Sequence, residues 1–141
     1  MITYKTFEID IDRVRRLYAS DDWWTYLQDD EKLVRAFHNS LYVLGAFDGE
    51  QLVGLVRCVG DGEHVVLIQD LIVLPDYRKQ GIGAALMRNA LEVFAGVRTV
   101  YLHTDRENAE ANRLYWRLDM QGFEEVGIAG YYYVNRPKKE A

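Results

Sequence analysis

The sequence predicts an α/β (α+β) fold, with a central mixed, mostly antiparallel sheet and helices on both of its faces. Two Asp-Gly pairs, Asp48-Gly49 and Asp61-Gly62, separate apolar runs and predict hairpins, the first with a type I′ turn. An apolar strand ending at Leu74 then passes through a glycine-containing loop into an amphipathic helix, and the chain returns as a strand at residues 99–103. This β-α-β unit predicts one parallel pair beside the antiparallel strands.

One strand and two helices are predicted before the hairpins. Residues 2–7 favour a short first strand. Asp10 or Asp12 would cap a helix whose apolar residues recur at intervals of three and four. A second helix is expected from about Asp30, and the acidic residues of its first turn suit the helix dipole.

The last third of the chain predicts one helix and two closing strands. The helix covers residues 108–121, and Gly122 would stop it. Strands are expected at residues 123–127 and 131–134, followed by a polar tail at residues 136–141. We find no repeat or linker, so a single domain is expected over residues 1–141.

Composition excludes several classes of protein. With 141 residues, 49% hydrophobic and 28% charged, the chain is expected to form one soluble domain. It has no apolar run near the ~20 residues that span a bilayer and no signal peptide pattern. The single cysteine, Cys58, indicates a reducing cytoplasm. A net charge of −5 argues against nucleic acid as a partner, and the dispersed histidines His38, His64 and His103 predict no metal site.

Two polar residues interrupt the apolar strand before the loop. Gln69 and Asp70 are adjacent, and adjacent residues of a regular strand point to opposite faces of the sheet. One polar group would then enter each apolar layer. A β-bulge at this point would resolve the conflict.

The loop from Arg78 to Gly83 leads directly into a helix. A helix start leaves its first N–H groups without intrahelical partners and carries the positive end of the helix dipole. Gly81 and Gly83 have no Cβ, so the backbone can approach a ligand closely. Such a turn favours anions, and diphosphates above all. The pattern is neither a G-x-x-x-x-G-K-[ST] loop nor a complete dinucleotide fingerprint.

Two motifs follow one another along the chain. They are Arg78-x-x-Gly81-x-Gly83 and, later, Asn108-x-x-Ala111-x-x-Leu114-Tyr115 followed by Gly122-Phe123. With the order of the elements, they resemble the GNAT family of N-acetyltransferases over nearly the whole chain. The runs at residues 54–61, 70–73 and 130–133 also loosely resemble the branch that contains plant serotonin N-acetyltransferases.

The second motif departs from the family pattern in one respect. Residues 119–121 look like a three-residue insertion before Gly122, which we expect to lengthen the helix at its C-terminal end. Asn108 and Tyr115 would keep their register. An alignment without a gap would instead put Leu118 in the place of the tyrosine.

The resemblance implies a GNAT acyl-CoA N-acyltransferase fold with splayed strands at the site of the cofactor, acetyl-CoA. The backbone N–H groups of the loop would hold the diphosphate, with the charge of Arg78 nearby, and the edge of the strand before the loop would pair with pantetheine. Asn108 would bond to pantetheine or position the cofactor. The cofactor-binding residues implied are Leu71, Ile72, Val73, Arg78, Lys79, Gln80, Gly81, Ile82, Gly83, Ala84 and Asn108.

The resemblance also implies acetylation of an amine by direct transfer. An alkylamine with a pKa near ~10 must lose a proton first. Asp70 is the candidate base; its alternative is a strand residue bonded to backbone N–H groups. The Val73 N–H would stabilise the oxyanion. Tyr115 would protonate the departing thiolate of coenzyme A, and its alternative is a core tyrosine.

The acceptor pocket would be lined by aromatic residues: Trp23, Trp24, Tyr26 and Tyr131, with Tyr132 and Tyr133 beside them. They favour a primary amine of a small molecule with an apolar body, although aromatics that merely cover the sheet remain an alternative. A lysine or N-terminus of a protein is the second acceptor class, and a non-catalytic acyl-CoA sensor is the alternative outside enzymes. The predicted strand at residues 131–134 offers an edge for a homodimer.

Overall fold

A computed structural model describes residues 1–135, so the predicted tail at residues 136–141 lies outside the described residues. The chain divides into two units, Met1–Thr104 and a second that begins at Asp105. The first unit contains the sheet and the glycine-containing loop, and the second contains the helix with Tyr115.

Five strands form the sheet of the first unit in the order of the chain. The pairs β1–β2, β2–β3 and β3–β4 are antiparallel, whereas β4 and β5 are parallel. The strands are β1 (Ile2–Thr6), β2 (Tyr42–Asp48), β3 (Gln51–Gly60), β4 (Val65–Val73) and β5 (Thr99–Tyr101). The predicted mixed, mostly antiparallel sheet is confirmed.

Three helices cover the two faces of this sheet. They are α1 (Ile11–Ala19), α2 (Asp30–His38) and α3 (Ile82–Val93), with short 3₁₀ turns at Trp24–Leu27 and Pro75–Tyr77. Helices α1 and α2 share a core with Leu55 of β3 and Ile72 of β4. Helix α3 lies on the opposite face, where a Cβ added to Gly54 would come within 3.3 Å of Leu86 Cδ1 and 3.1 Å of the Ile72 carbonyl oxygen. Glycine suits this close approach, because any larger residue would require the neighbouring atoms to shift.

Aspartates begin both helices on the first face. Asp10 caps α1 by accepting a hydrogen bond from the Arg13 N–H at 3.3 Å. Asp29 caps α2 in the same way, accepting from the Lys32 N–H at 3.1 Å. Each cap satisfies an N–H group that the helix itself leaves unpaired. The structure thus selects Asp10 over Asp12.

A bulge interrupts β4 where the sequence predicts one. Arg57 of β3 is paired with Asp70, whereas the next residue, Cys58, is paired with Ile68, so Gln69 has no partner across the ladder. Paired residues share a face of the sheet. The bulge therefore moves the buried side chain of Asp70 to the face of α1 and α2, and Gln69 is exposed.

The first hairpin is present, but its turn is not type I′. Asp48 pairs with Gln51, so Gly49 and Glu50 are the two loop residues. Gly49 has a φ of +60°, while Glu50 is not among the described residues with positive φ. Because a type I′ turn needs positive φ at both loop residues, that part of the prediction is wrong.

Asp61 organises the second hairpin through three backbone contacts. Its Oδ1 accepts hydrogen bonds from the N–H groups of Glu63 at 2.9 Å, His64 at 2.8 Å and Val65 at 3.0 Å. These bonds favour the charged carboxylate and lower the pKa of Asp61 to about 2. The charged form of Asp61 is therefore part of the folded turn.

We expect the free energy of unfolding to depend less on pH, in the acid range, in Asp61→Asn than in wild type. Since the pKa of Asp61 is about 2 in the folded chain against 3.8 ordinarily, its contribution is present above about pH 4 and is lost as the pH falls toward 2. The variant should be less stable than wild type at pH 7, and the gap should narrow between pH 4 and pH 2. Urea unfolding of both proteins at several pH values measures this difference in the free energy of unfolding. Glu50→Gln, in the other hairpin turn, is the control; a gap that does not change with pH would contradict the expectation.

The helix of the second unit, α4 (Ala109–Arg117), ends before the predicted residue 121. Asp119 adopts a φ of +61° and donates its N–H to the Trp116 carbonyl at 3.1 Å, while the Met120 N–H reaches the Tyr115 carbonyl at 3.1 Å. This is a Schellman stop, in which aspartate takes the left-handed position usual for glycine. The predicted stop at Gly122 is therefore wrong, and the inserted residues 119–121 end the helix instead of lengthening it.

The two closing strands are also absent from the described residues. Phe123–Val126 forms a 3₁₀ turn, and Gly127 follows it with a φ of +76°. Residues 131–134 belong to no helix or strand. Phe123 and Val126 are spaced by three, which places them on one side of a 3₁₀ turn. The aromatic run after them would form a strand only beside a partner strand.

Candidate functional site

The loop after β4 ends in an uncapped helix start. Gly81 is the N-cap residue of α3, with a φ of +82°, and Lys79 before it has a φ of +62°. Gly81 has no side chain to satisfy the first N–H groups of the helix, and a Cβ built on it would meet no atom within 4 Å. The space beside Gly81 is therefore open, and the unpaired N–H donors that follow it suit an anion.

Arg78 connects this loop to two other parts of the first unit. Its Nε donates to the Val73 carbonyl at 3.0 Å, and its Nη2 lies 3.3 Å from Asp21 Oδ1. Asp21 follows α1, so the guanidinium links the end of β4 to the segment after α1. Tyr77 holds the start of the loop, since its hydroxyl donates to Asp48 at 2.7 Å.

One edge of β4 is open beside the loop. Strand β3 pairs with β4 as far as Val73, but β5 pairs only with Val65–Leu67. Strands β4 and β5 therefore part after Leu67, and within residues 1–135 no strand covers that edge from residue 68 to residue 73. An extended chain with amide groups could pair with it. Leu71, Ile72 and Val73 lie on this open edge, and Arg78 to Ala84 form the adjacent loop and helix start.

Asp70 is buried, with only 3% of its surface exposed, and it is the centre of a side-chain network. Its Oδ1 accepts from the Tyr26 hydroxyl at 2.8 Å. Its Oδ2 accepts from the Tyr18 hydroxyl at 2.9 Å and from Arg57 Nε at 2.6 Å. The partners are side chains, not the backbone N–H groups that the structural alternative expected.

Arg57 is the positively charged partner of Asp70 in this network. It is 5% exposed, and its two terminal nitrogens donate to Ser40 at 3.1 Å and to the Tyr26 hydroxyl at 3.3 Å. Burial alone would lower the pKa of Arg57, but the neighbouring Asp70 carboxylate raises it above the ordinary value. The guanidinium also lies over the rings of Tyr26 and Phe37, at 5.7 and 5.5 Å from their centroids.

The tyrosines of the network stay protonated at neutral pH. Burial raises the pKa of Tyr18 well above its usual range, and the charge of Asp70 raises it further. The same two causes raise the pKa of Tyr26. Both hydroxyls are therefore donors to Asp70. Burial raises the pKa of the nearby Cys58 thiol to about 12, which disfavours the thiolate that a nucleophile would need.

Two of the four predicted pocket residues lie together beside this network. Trp23 packs near Tyr18, with ring centroids 5.3 Å apart, and Tyr26 lies 6.1 Å from Trp23 and 5.1 Å from Tyr18. Trp24 is 53% exposed. Tyr131, in the second unit, is 96% exposed.

Asn108 and Tyr115 are on the helix of the second unit. Asn108 caps α4, and its Oδ1 accepts from the Ala111 N–H at 3.1 Å. Tyr115 is half-buried, and burial raises the pKa of its phenol. The hydroxyl therefore holds its proton at neutral pH and can donate it.

The sequence analysis did not identify Tyr18 and Arg57. The signal for Arg57 was present, because it is a charged residue in an otherwise apolar stretch of β3, just as Asp70 is in β4. Opposite charges on the two strands of a predicted hairpin favour a pair. Tyr18 gave no such signal, since it occupies an apolar position of α1.

The described residues contain no metal-binding group and no membrane-spanning helix. Within residues 1–135, no three His, Cys, Asp or Glu side chains are grouped so that they could hold a metal ion. No helix in the same range has the length and apolar character needed to cross a bilayer.

Comparison with known proteins relates this geometry to one family. The model of the acetyltransferase (GNAT) family matches residues 10–120. A solved GNAT family acetyltransferase from Streptococcus pneumoniae is 38% identical, covers 97% of this chain and 100% of that one, and superimposes with a TM-score of 0.84. The fold is therefore that of GNAT acyltransferases.

Two further proteins add to the comparison. An uncharacterized N-acetyltransferase from Archaeoglobus fulgidus is 34% identical over 93 residues, which are 60% of this chain; the chain thus spans 63% of that relative. PaiA N-acetyltransferase from Thermoplasma acidophilum, solved with coenzyme A, shares the fold at 20% identity and a TM-score of 0.68, covering 84% of this chain and 88% of that one.

Proposed function

Because this chain belongs to the GNAT family of acetyltransferases, we propose that it transfers an acetyl group from acetyl-CoA directly to a primary amine of a small molecule. One observation carries the proposal. The open edge of β4 runs into a loop that ends at the uncapped start of α3. An extended amide chain that ends in a diphosphate needs these two features side by side.

Acetyl-CoA supplies the activated acetyl thioester, and the residues of the first unit fit its two polar parts. The N–H groups of Lys79 to Ala84 would bind the diphosphate, and residues 71–73 would pair with pantetheine. Arg78 would add charge beside the phosphates while its Nε stays on the Val73 carbonyl. Asn108 would bond to pantetheine through its amide nitrogen, because its Oδ1 already caps α4.

The transfer requires a neutral amine, an oxyanion donor and an acid. The Val73 N–H would donate to the thioester oxygen as negative charge develops. Tyr115 would give its proton to the leaving sulfur. Asp70 was predicted to be the base that takes the proton of the amine, but both of its oxygens accept hydrogen bonds from buried side chains. With those oxygens occupied, a water molecule would take the proton that the ammonium group loses before the amine attacks the thioester.

The acceptor side is proposed to lie around the 3₁₀ turn Trp24–Leu27. Trp23, Trp24 and Tyr26 offer aromatic surface for an apolar body, and Asp22 is an exposed carboxylate that could attract an ammonium group. We keep Tyr131 as a fourth candidate. These contacts support an amine with an apolar or aromatic body, such as an arylalkylamine.

A thiol-release assay tests the proposal. Acetyl-CoA is combined with 2-phenylethylamine, tryptamine, spermidine, kanamycin and lysine-containing peptides, and the free thiol is measured. We expect turnover on small amines, with an arylalkylamine preferred. Turnover on peptides alone would assign the chain to the protein acetyltransferases. Tight binding of coenzyme A without turnover on any amine would instead indicate an acyl-CoA sensor.

The proposal includes a cytoplasmic location and a homodimer. A single free thiol, Cys58, suits a reducing compartment. Tyr131 and Tyr133 are 96% and 87% exposed and could be covered by a second copy of the chain. Light scattering after size-exclusion chromatography measures the oligomeric state, and a monomer at micromolar concentration would contradict the dimer.

A further inference from the structure

We propose that the buried Asp70–Arg57 pair acts as a positioning device, which holds Tyr26 and the segment Ser20–Leu27 in place as the wall of the acceptor site. The proposal rests on the proposed function and replaces the role of base that the sequence suggested for Asp70. The network belongs entirely to the first unit of the chain.

The Asp70 carboxylate is not accessible to an amine. Asp70 is 3% exposed, and three side-chain donors occupy its two oxygens at 2.6 to 2.9 Å. A direct base must be within hydrogen-bond reach of the amine or of a water beside it. The Tyr26 and Tyr18 hydroxyls and the Arg57 guanidinium surround Asp70 and occupy that space.

Hydrogen bonds fix the position of the Tyr26 side chain. Its hydroxyl donates to Asp70 Oδ1 at 2.8 Å and lies within 3.3 Å of two donors, Arg57 Nη2 and Gln69 Nε2. A phenol has one donor and two acceptor sites, so these three contacts satisfy it completely. A hydroxyl bonded in this way fixes the orientation of its ring.

Tyr26 anchors the segment Ser20–Leu27 to which it belongs. It belongs to the 3₁₀ turn Trp24–Leu27, and its ring lies beside those of Trp23 and Tyr18. At the other end of the segment, Asp21 is paired with Arg78 of the cofactor loop. The segment Ser20–Leu27 is therefore attached to β4 at one point and to the loop after β4 at another.

Together these contacts join the acceptor wall to the strand and the loop that would hold acetyl-CoA. Positioning of this kind matters because a small displacement of the acceptor amine strongly lowers the rate of acetyl transfer to it. Loss of the Tyr26–Asp70 bond should therefore weaken the use of the acceptor and leave the binding of the cofactor unchanged.

The experiment compares Tyr26→Phe and Asp70→Asn with wild type, using 2-phenylethylamine as the acceptor. Tyr26→Phe removes one hydroxyl and keeps the ring, so it should fold even if Asp70→Asn leaves Arg57 unpaired and does not. We expect the KM for the amine to rise about threefold to tenfold in Tyr26→Phe, which is the worth of one hydrogen bond. The KM for acetyl-CoA should not change. The effect of the double variant should be smaller than the product of the two single effects, because both changes act on the same Tyr26–Asp70 contact.

Two further readouts separate positioning from base catalysis. If Asp70 only positions, the pH dependence of kcat in Asp70→Asn matches wild type; a lower kcat with an altered pH profile and an unchanged amine KM would overturn the proposal. Hydrogen exchange should become faster in residues 20–28 of both variants and stay unchanged in α3. Unchanged exchange in residues 20–28 would also overturn it.

The control is Tyr42→Phe, which removes another tyrosine hydroxyl, bonded to Asn89 at 2.7 Å on the face of α3. It should alter neither KM value nor exchange in residues 20–28. If wild type turns over none of the amines, the proposed function fails, and the exchange measurement still decides whether Asp70 holds the segment.

Discussion

Replacing Gly81 with valine is expected to lower the affinity for coenzyme A by at least about a hundredfold. Gly81 has a φ of +82°, a conformation that a β-branched residue adopts only with strain. The strain costs about 1–3 kcal/mol and turns the first N–H groups of α3 away from their present direction. Each charge-assisted bond lost to the diphosphate costs about 1.5–3 kcal/mol, so the loss of two accounts for the predicted change.

The free protein has room for the valine side chain, so a loss of affinity would report on the ligand site and not on disrupted packing. A Cβ on Gly81 meets no atom within 4 Å, so the steric effect falls on the ligand and not on the core. Isothermal titration with coenzyme A measures the affinity. Gly127→Val is the matched control, because Gly127 has a φ of +76° and similar open space but lies outside the loop. Retained affinity in Gly81→Val would overturn the cofactor site.

Local signals explain the parts of the fold that the sequence predicted correctly. The hairpins, the amphipathic helices and the glycine-containing helix start each depend on a few neighbouring residues. The bulge beside Asp70 was predictable for the same reason: in a regular strand the adjacent Gln69 and Asp70 would put one polar side chain into each apolar layer, and a bulge removes that conflict. These signals were sufficient to predict the strand edge and the loop at which the cofactor site is proposed.

Contacts between distant residues account for what the sequence did not predict. The Asp70 network joins α1, the turn Trp24–Leu27, β3 and β4, and the register of β3 on β4 decides that Arg57 faces Asp70. A pattern within one element does not contain that information. The prediction of a strand at residues 131–134 was wrong for a related reason. Residues of high β propensity form a strand only when a partner strand is present.

The end of α4 shows how a single residue can change an expectation. Asp119 adopts the left-handed conformation at the stop that was predicted for Gly122, and the helix ends at Arg117, four residues before its predicted end. The stop uses the carbonyl of Tyr115, which receives the Met120 N–H at 3.1 Å. Tyr115 is thus in the last turns of the helix, with its backbone fixed by the stop and its side chain half-buried.

Tyr115→Phe is expected to lower kcat about a hundredfold near pH 7 while coenzyme A still binds with the affinity of wild type. Burial raises the pKa of the Tyr115 phenol, so it is protonated when a thiolate leaves. Proton transfer by a general acid raises the rate about 10²- to 10⁴-fold. We expect an effect at the lower end of that range, because a thiolate is a moderate leaving group even without protonation. Phenylalanine keeps the ring and its packing and removes only the acid.

The pH dependence distinguishes an acid from a packing tyrosine. A thiol of ordinary pKa, about 8.5, leaves readily as the thiolate in alkaline solution. The deficit of Tyr115→Phe should therefore be largest below pH 8 and shrink as the pH rises above about 8.5. Stopped-flow measurement of thiol release across this pH range tests the predicted loss of kcat. The Kd for coenzyme A, determined in parallel, tests whether cofactor binding is unchanged.

Two variants make the assignment specific to Tyr115. Tyr42→Phe removes a half-buried tyrosine hydroxyl from the face of α3 and should leave the pH profile unchanged. Leu118→Ala probes the alignment without a gap, in which position 118 would take the place of the tyrosine and Tyr115 would have no chemical role. Wild-type kcat in Tyr115→Phe at every pH would assign Tyr115 to the packing of α4, and the acid would then have to come from another residue or from water.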